Sequence, residues 1–127
     1  MARYLIDTDV MVDVSRRIAA AATYLDSLDD LTISIITAHE LIVGARSQRD
    51  ADAIDSLVET YPVHAELGAQ ITGLAYDLLK RYAKSDGLRT FDALIAATAI
   101  KERLTLVSKN RKHFQMIDEL NLEVPNY

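Results

Sequence analysis

Three short segments of this 127-residue chain are apolar and rich in β-branched or aromatic side chains, and each is cut off by polar residues. Ala2 to Ile6 stops at Asp7-Thr8-Asp9, Leu31 to Ile36 runs into Thr37, and Leu104 to Ser108 runs into Lys109-Asn110. Runs this short, with no polar face, read as strands buried on both sides. Strands of that kind separated by helices form a parallel sheet covered on both faces. The expected fold is therefore a three-layer α/β/α sandwich around a central, mostly parallel sheet. Tyr61-Pro62-Val63 and part of Met116 to Val124 are expected to add short strands.

The segments between the strands carry helical spacing. Asp9 is placed to cap a short helix through Val10, Met11, Val12 and Val14, and Ile18 to Leu28 follows as a second. A third begins near Thr37 and ends around Gly44 to Arg46, and a fourth spans Asp50 to Thr60. From Glu66 to Lys84 the residues Leu67, Ile71, Leu74, Leu78 and Tyr82 fall on one stripe, which predicts the longest helix. Thr90 is expected to cap the next, whose small face of Ala93, Ala96, Ala97 and Ala99 suits close packing on a sheet. Four Gly and two Pro are too few turn residues for a many-stranded sandwich. The length fits a single domain over residues 1–127.

Composition removes several function classes. Cysteine is absent, which excludes disulfides, thiolate zinc sites and cysteine catalysis. No apolar run is long enough to span a bilayer, and Asp7 and Asp9 interrupt the place where a signal peptide would need its apolar stretch. A soluble, cytoplasmic protein with no membrane partner is expected. The three His residues lack ligand spacing, and the common phosphate-loop, dinucleotide and serine-hydrolase motifs do not occur. The net charge of −5 argues against broad phosphate neutralisation, but the sum conceals an asymmetry. Between Lys80 and His113 nine basic side chains face three acidic ones, a net +6, while the remainder carries −11.

In parallel sheets function gathers at the carboxyl ends of the strands. Asp7 stands where the first strand ends, Glu40 lies on the helix after the second, and Asp92 lies near the start of the Ala-rich helix. Each has a structural explanation as well. Asp7-Thr8-Asp9 can be a turn and cap, Thr37 to Glu40 matches a capping box, and Asp92 can stabilise a helix N-terminus. Their convergence is the informative part, because three carboxylates at one sheet edge repel unless a cation joins them. Oxygen ligands suit Mg²⁺ or Mn²⁺, and such an ion polarises phosphate esters and supplies hydroxide near neutral pH. Arg89, Lys109, Arg111 and Lys112 are expected to rim this acidic centre and hold a polyanion across it, with Ser108 as a further substrate-binding residue.

Four segments in order extend this reading: Tyr4 to Val10 with Asp7-Thr8-Asp9, Ser34 to Gly44 with Thr37 and Glu40, Phe91-Asp92 to Ala99, and Leu106 to Phe114 with Asn110 and His113. With them the chain resembles a PIN-domain ribonuclease of the VapC type, the toxin half of a bacterial or archaeal toxin–antitoxin pair. The resemblance covers nearly the full length. It implies that Asp7, Glu40 and Asp92 bind the metal. Asn110 stands where the family often has a fourth acid, and Ser108 where it commonly has Thr. An amide brings no charge, which bears on whether a second ion binds. The resemblance further implies cleavage of structured RNA to leave a 5′-phosphate, a homodimer, and a small cognate antitoxin that lays a C-terminal segment over the acidic groove.

Two alternatives differ in class. Asp7-Thr8-Asp9-Val10 nearly matches the D-x-D-x-[TV] motif of haloacid-dehalogenase-like phosphatases, with Asp7 as nucleophile, but Met11 occupies the Thr or Val position and no later acidic pair appears. A PIN-like RNA-binding module without catalysis would have no physical reason to keep three repelling carboxylates.

Overall fold

The strands are β1 (Tyr4–Ile6), β2 (Leu31–Ser34), β3 (Val63–His64), β4 (Thr105–Val107) and β5 (Leu122–Glu123). In this computed structural model, which describes residues 3–127, they form one sheet in the order β3-β2-β1-β4-β5. Every neighbouring pair is parallel, so the sheet is wholly parallel where a mostly parallel one was expected. The part of the first strand expected at Ala2 lies outside the described residues.

Alternation along the strands builds both faces of the core. Leu5 and Leu106 are register partners and join one apolar cluster, with Leu78, Ile95 and Phe114. Ile6 and Val107, one step further on, join the other, with Val10, Met11, Leu25 and Ile33. Successive strand side chains point to opposite faces, so a single residue step divides the two layers. The helices are α1 (Thr8–Ser15), α2 (Ala19–Asp26), α3 (Ile35–Val43), α4 (Gln48–Thr60), α5 (Ala69–Asp86), α6 (Thr90–Lys101) and a short α7 (Arg111–Phe114). Residues of α1 and α2 cover the Ile6 face, and those of α5, α6 and α7 cover the Leu5 face. The three-layer sandwich is present as the alternation predicts.

Several element ends differ from expectation, for local reasons. Helix α3 starts at Ile35 because Ser34 caps it, its Oγ accepting the Ile36 N–H at 3.0 Å. Thr37 is therefore inside the helix and forms no capping box with Glu40. Asp9 is not the cap of α1 either; it lies in the first turn, and Asp7 occupies the cap position without a side-chain cap bond. Thr90 is the first residue of α6, after Arg89. Helix α5 begins at Ala69 and ends at Asp86, capped by Gly87, whose φ of 73° is the left-handed value that glycine adopts without strain. The turn of α7 was not expected at all.

Ala93, Ala96, Ala97 and Ala99 are completely buried, so α6 lies close against its neighbours. Ala96→Leu is expected to destabilise the fold by about 1–3 kcal/mol through overpacking. Phe114→Ala should cost about 3–5 kcal/mol by opening a cavity. Denaturant midpoints at unchanged m-value check both.

Candidate active site

The order of the sheet reverses around β1: the chain moves outward to β2 and β3, then returns to place β4 on β1's other side. A crevice opens at the carboxyl ends of strands where such a reversal occurs. There Asp7, Asp9, Glu40, Arg89, Asp92, Asn110 and His113 line one cleft of about 850 Å³. The three acids proposed from the sequence thus come together from β1, α3 and α6, with Asn110 and Arg89 beside them.

Asp7 is 4 % exposed, and its Oδ2 accepts a hydrogen bond from Ser108 Oγ at 2.7 Å. Burial, and then the nearby Asp9 charge, push its pKa up to about 7 despite that bond. Asp9 accepts from the Val10 N–H at 2.7 Å and, through its other oxygen, from the Lys109 N–H at 2.9 Å. Burial raises its pKa too, against the pull of the Lys109 and Val10 amides. Glu40 Oε1 accepts from Thr8 Oγ1 at 2.7 Å, and the Thr8 hydroxyl also lies 2.9 Å from that of buried Thr37. Asp92 Oδ2 lies 3.3 Å from His113 Nδ1. Burial raises the Asp92 pKa and Glu40 adds to this, while His113 and Arg89 oppose it.

Not every expected residue faces the cleft. Ser108 is buried beneath it and acts on Asp7. Lys109 turns away: its Nζ pairs with Asp13 Oδ2 on α1 and lies 5.4 Å from the ring centroid of Tyr127. Arg111 and Lys112 are exposed on α7 and do not line the cleft. The expected basic rim is reduced to Arg89 and, when protonated, His113. Sequence reasoning assigned Asp9 to a cap and left His113 open. The Asp-x-Asp spacing at a strand end and the three-residue step from Asn110 to His113 were the available signals.

The donor set fits a hard dication. Its groups are carboxylate oxygens, and burial and mutual repulsion hold Asp7 and Asp92 partly toward the neutral form in a way that a cation would relieve. Among the described residues no group of three or more Asp, Glu or His side chains is gathered tightly enough to enclose an ion. Mg²⁺ does not require such a cage, since it binds through one or two carboxylates and keeps several waters.

The PIN domain family matches residues 4–120. The chain belongs to the PIN-domain family. Among its relatives, ribonuclease VapC1 of Methanocaldococcus jannaschii is 29 % identical over 124 residues, covering 96 % of this chain and 86 % of the relative. Ribonuclease VapC10 of Mycobacterium tuberculosis is 32 % identical over 120 residues, covering 91 % and 89 %. The PIN fold also superposes on VapBC2 of Rickettsia felis, solved with a DNA fragment from its promoter, at a TM-score of 0.84 and 25 % identity, covering 97 % of this chain and 98 % of that one. A toxin–antitoxin complex from Klebsiella pneumoniae gives 0.78 and 27 %, covering 92 % and 94 %. The two ribonucleases carry the VapC name and the Rickettsia felis structure the VapBC name, as the four sequence segments suggested.

The raised pKa of Asp7 has a thermodynamic consequence. The folded state favours the protonated acid, whereas the unfolded chain ionises near pH 3.8, so the metal-free protein loses stability as pH rises from there to about 7. Asp7→Asn should remove that loss and stabilise metal-free protein at pH 8 by about 2–4 kcal/mol, with a smaller gain at pH 5. Thermal melts in chelator at the two pH values check the sign.

Proposed function

We propose that this PIN domain is a Mg²⁺- or Mn²⁺-dependent endoribonuclease and the toxin half of a toxin–antitoxin pair. The observation that carries the reading is the convergence of Asp7, Glu40 and Asp92, from three separate elements, on one cleft that also holds Asn110 and Arg89. The names of the VapC ribonuclease relatives and of the VapBC and toxin–antitoxin structures support the activity and the antitoxin partner. Cleavage of structured RNA in the cytoplasm and a homodimeric state are parts of the same proposal. Among the described residues no helix is long and apolar enough to cross a membrane.

In this reading Asp7, Glu40 and Asp92 hold the cation. When bound, it offsets phosphate charge and activates water for hydrolysis. Ser108 keeps the Asp7 carboxylate aimed, Thr8 does the same for Glu40, and Arg89 supplies positive charge at the cleft wall. Asn110 adds a polar group without charge, which favours one tightly bound ion over two. The family match over residues 4–120 removes support from the phosphatase alternative.

Purified protein should shorten a structured RNA only with Mg²⁺ or Mn²⁺, and Asp7→Asn or Asp92→Asn should slow cleavage at least about 100-fold. Retention of RNA without shortening would favour the binding module, and cutting in excess chelator would remove the metal from the reading. The pKa of Asp7 adds a pH test, because protons compete with the cation for its carboxylate. Apparent Mn²⁺ affinity should fall by up to about tenfold per pH unit below 7 and level off above it, as measured by calorimetry.

A further inference from the structure

The loop between β4 and α7 reaches the acidic site in three ways. Ser108 Oγ donates to Asp7, the Lys109 N–H donates to Asp9, and Asn110 lines the cleft while its N–H donates to Ser108 Oγ at 3.0 Å. The three residues join a three-residue strand to a four-residue helix, neither of which is long enough to fix a loop alone.

What holds the loop lies on its far side. Asp9 and Asp13 are four residues apart on α1 and so share a face. Lys109 bridges the two, its backbone to Asp9 and its ammonium to the buried Asp13 carboxylate. The same Asp13 oxygen accepts from Tyr127 Oη at 2.9 Å, and the Lys109 ammonium lies over the Tyr127 ring. Tyr127 in turn packs on Tyr24, with ring centroids 6.0 Å apart. The Tyr24 hydroxyl bonds the Glu123 carboxylate on β5, and the Glu123 carbonyl accepts the Ser108 N–H at 3.1 Å. The contacts return to the loop they started from.

We propose that Asp13, Lys109 and Tyr127 form a clamp that positions the β4–α7 loop, and through it Asp7, Asp9 and Asn110, for RNA cleavage. They are positioning residues that touch neither cation nor RNA, and the proposal rests on the nuclease reading above. It replaces the phosphate-binding role expected of Lys109 from sequence, since its ammonium is committed to Asp13.

Lys109→Met, Asp13→Asn and Tyr127→Phe test the clamp in the full chain, the last keeping the ring and removing only the hydroxyl. Lys109→Met should lower kcat by about 10- to 100-fold with KM within about twofold, and Tyr127→Phe should lower it less. The double variant Asp13→Asn/Lys109→Met should be no slower than Lys109→Met alone, because the groups act as a unit. In metal-free protein without RNA, amide exchange at Lys109 and Asn110 should speed up in each variant while the melting temperature stays within a few degrees. A raised KM at unchanged kcat for Lys109→Met would overturn the clamp in favour of phosphate binding. Unchanged exchange at the two amides would overturn it as well. If the wild-type chain cuts no RNA, the nuclease reading fails separately, and the exchange experiment still decides whether the clamp exists.

Discussion

A carboxylate at the end of the central strand, removed from water yet bonded by one hydroxyl, is the constraint around which this molecule is arranged. Asp7 follows β1, which is flanked by β2 and β4, and it has almost no contact with solvent. A carboxylate so placed is stable in its ionised form only with donors or a cation nearby. Ser108 is one donor, and it is available because β4 pairs in parallel with β1 and ends at the same height. A sheet with antiparallel neighbours at this position would put the start of a strand there instead, and the loop from β4 would leave from the opposite edge.

The helices solve the remaining problem, which is to bring charge of one sign to one place without collapsing the fold. Asp92 reaches the cleft from the first turn of α6, where the helix dipole favours negative charge, and the alanine face of α6 allows that turn to lie close to the sheet. Glu40 arrives from the second turn of α3 and is met by Thr8. Burial raises the pKa of both Asp7 and Asp92, and the repulsion that remains among the acids adds to it. It is confined to the cleft, while the apolar clusters on either side of the sheet contain no such opposition.

The layers and the sheet were legible in the sequence because short β-branched runs and long helical stripes differ in period, and no cysteine or turn-rich stretch confused them. That Asp7, Glu40 and Asp92 meet in one cleft was legible because a parallel sheet places strand ends together. The ends of elements were less so: Ser34 and Thr37 are both good caps, and only the way β2 packs decides that Ser34 takes the role. The direction of Lys109 was not legible. A basic residue after a strand end reads as part of a phosphate rim, and its actual partner, Asp13, lies 96 positions away in sequence. Asp9 was misread as a cap for a related reason, since its second contact is the backbone of that same distant loop.

The Thr8, Thr37 and Glu40 side chains form a short relay whose polarity follows from counting protons. A threonine hydroxyl has a single proton, and Thr8 gives it to Glu40. The contact between the two hydroxyls must then run from Thr37 to Thr8. The Glu40 oxygen, as the final acceptor, therefore orients two hydroxyls in series, the second of them fully buried. The direction of a buried hydroxyl on α3 is thus set by an acceptor two side chains away at the cleft wall.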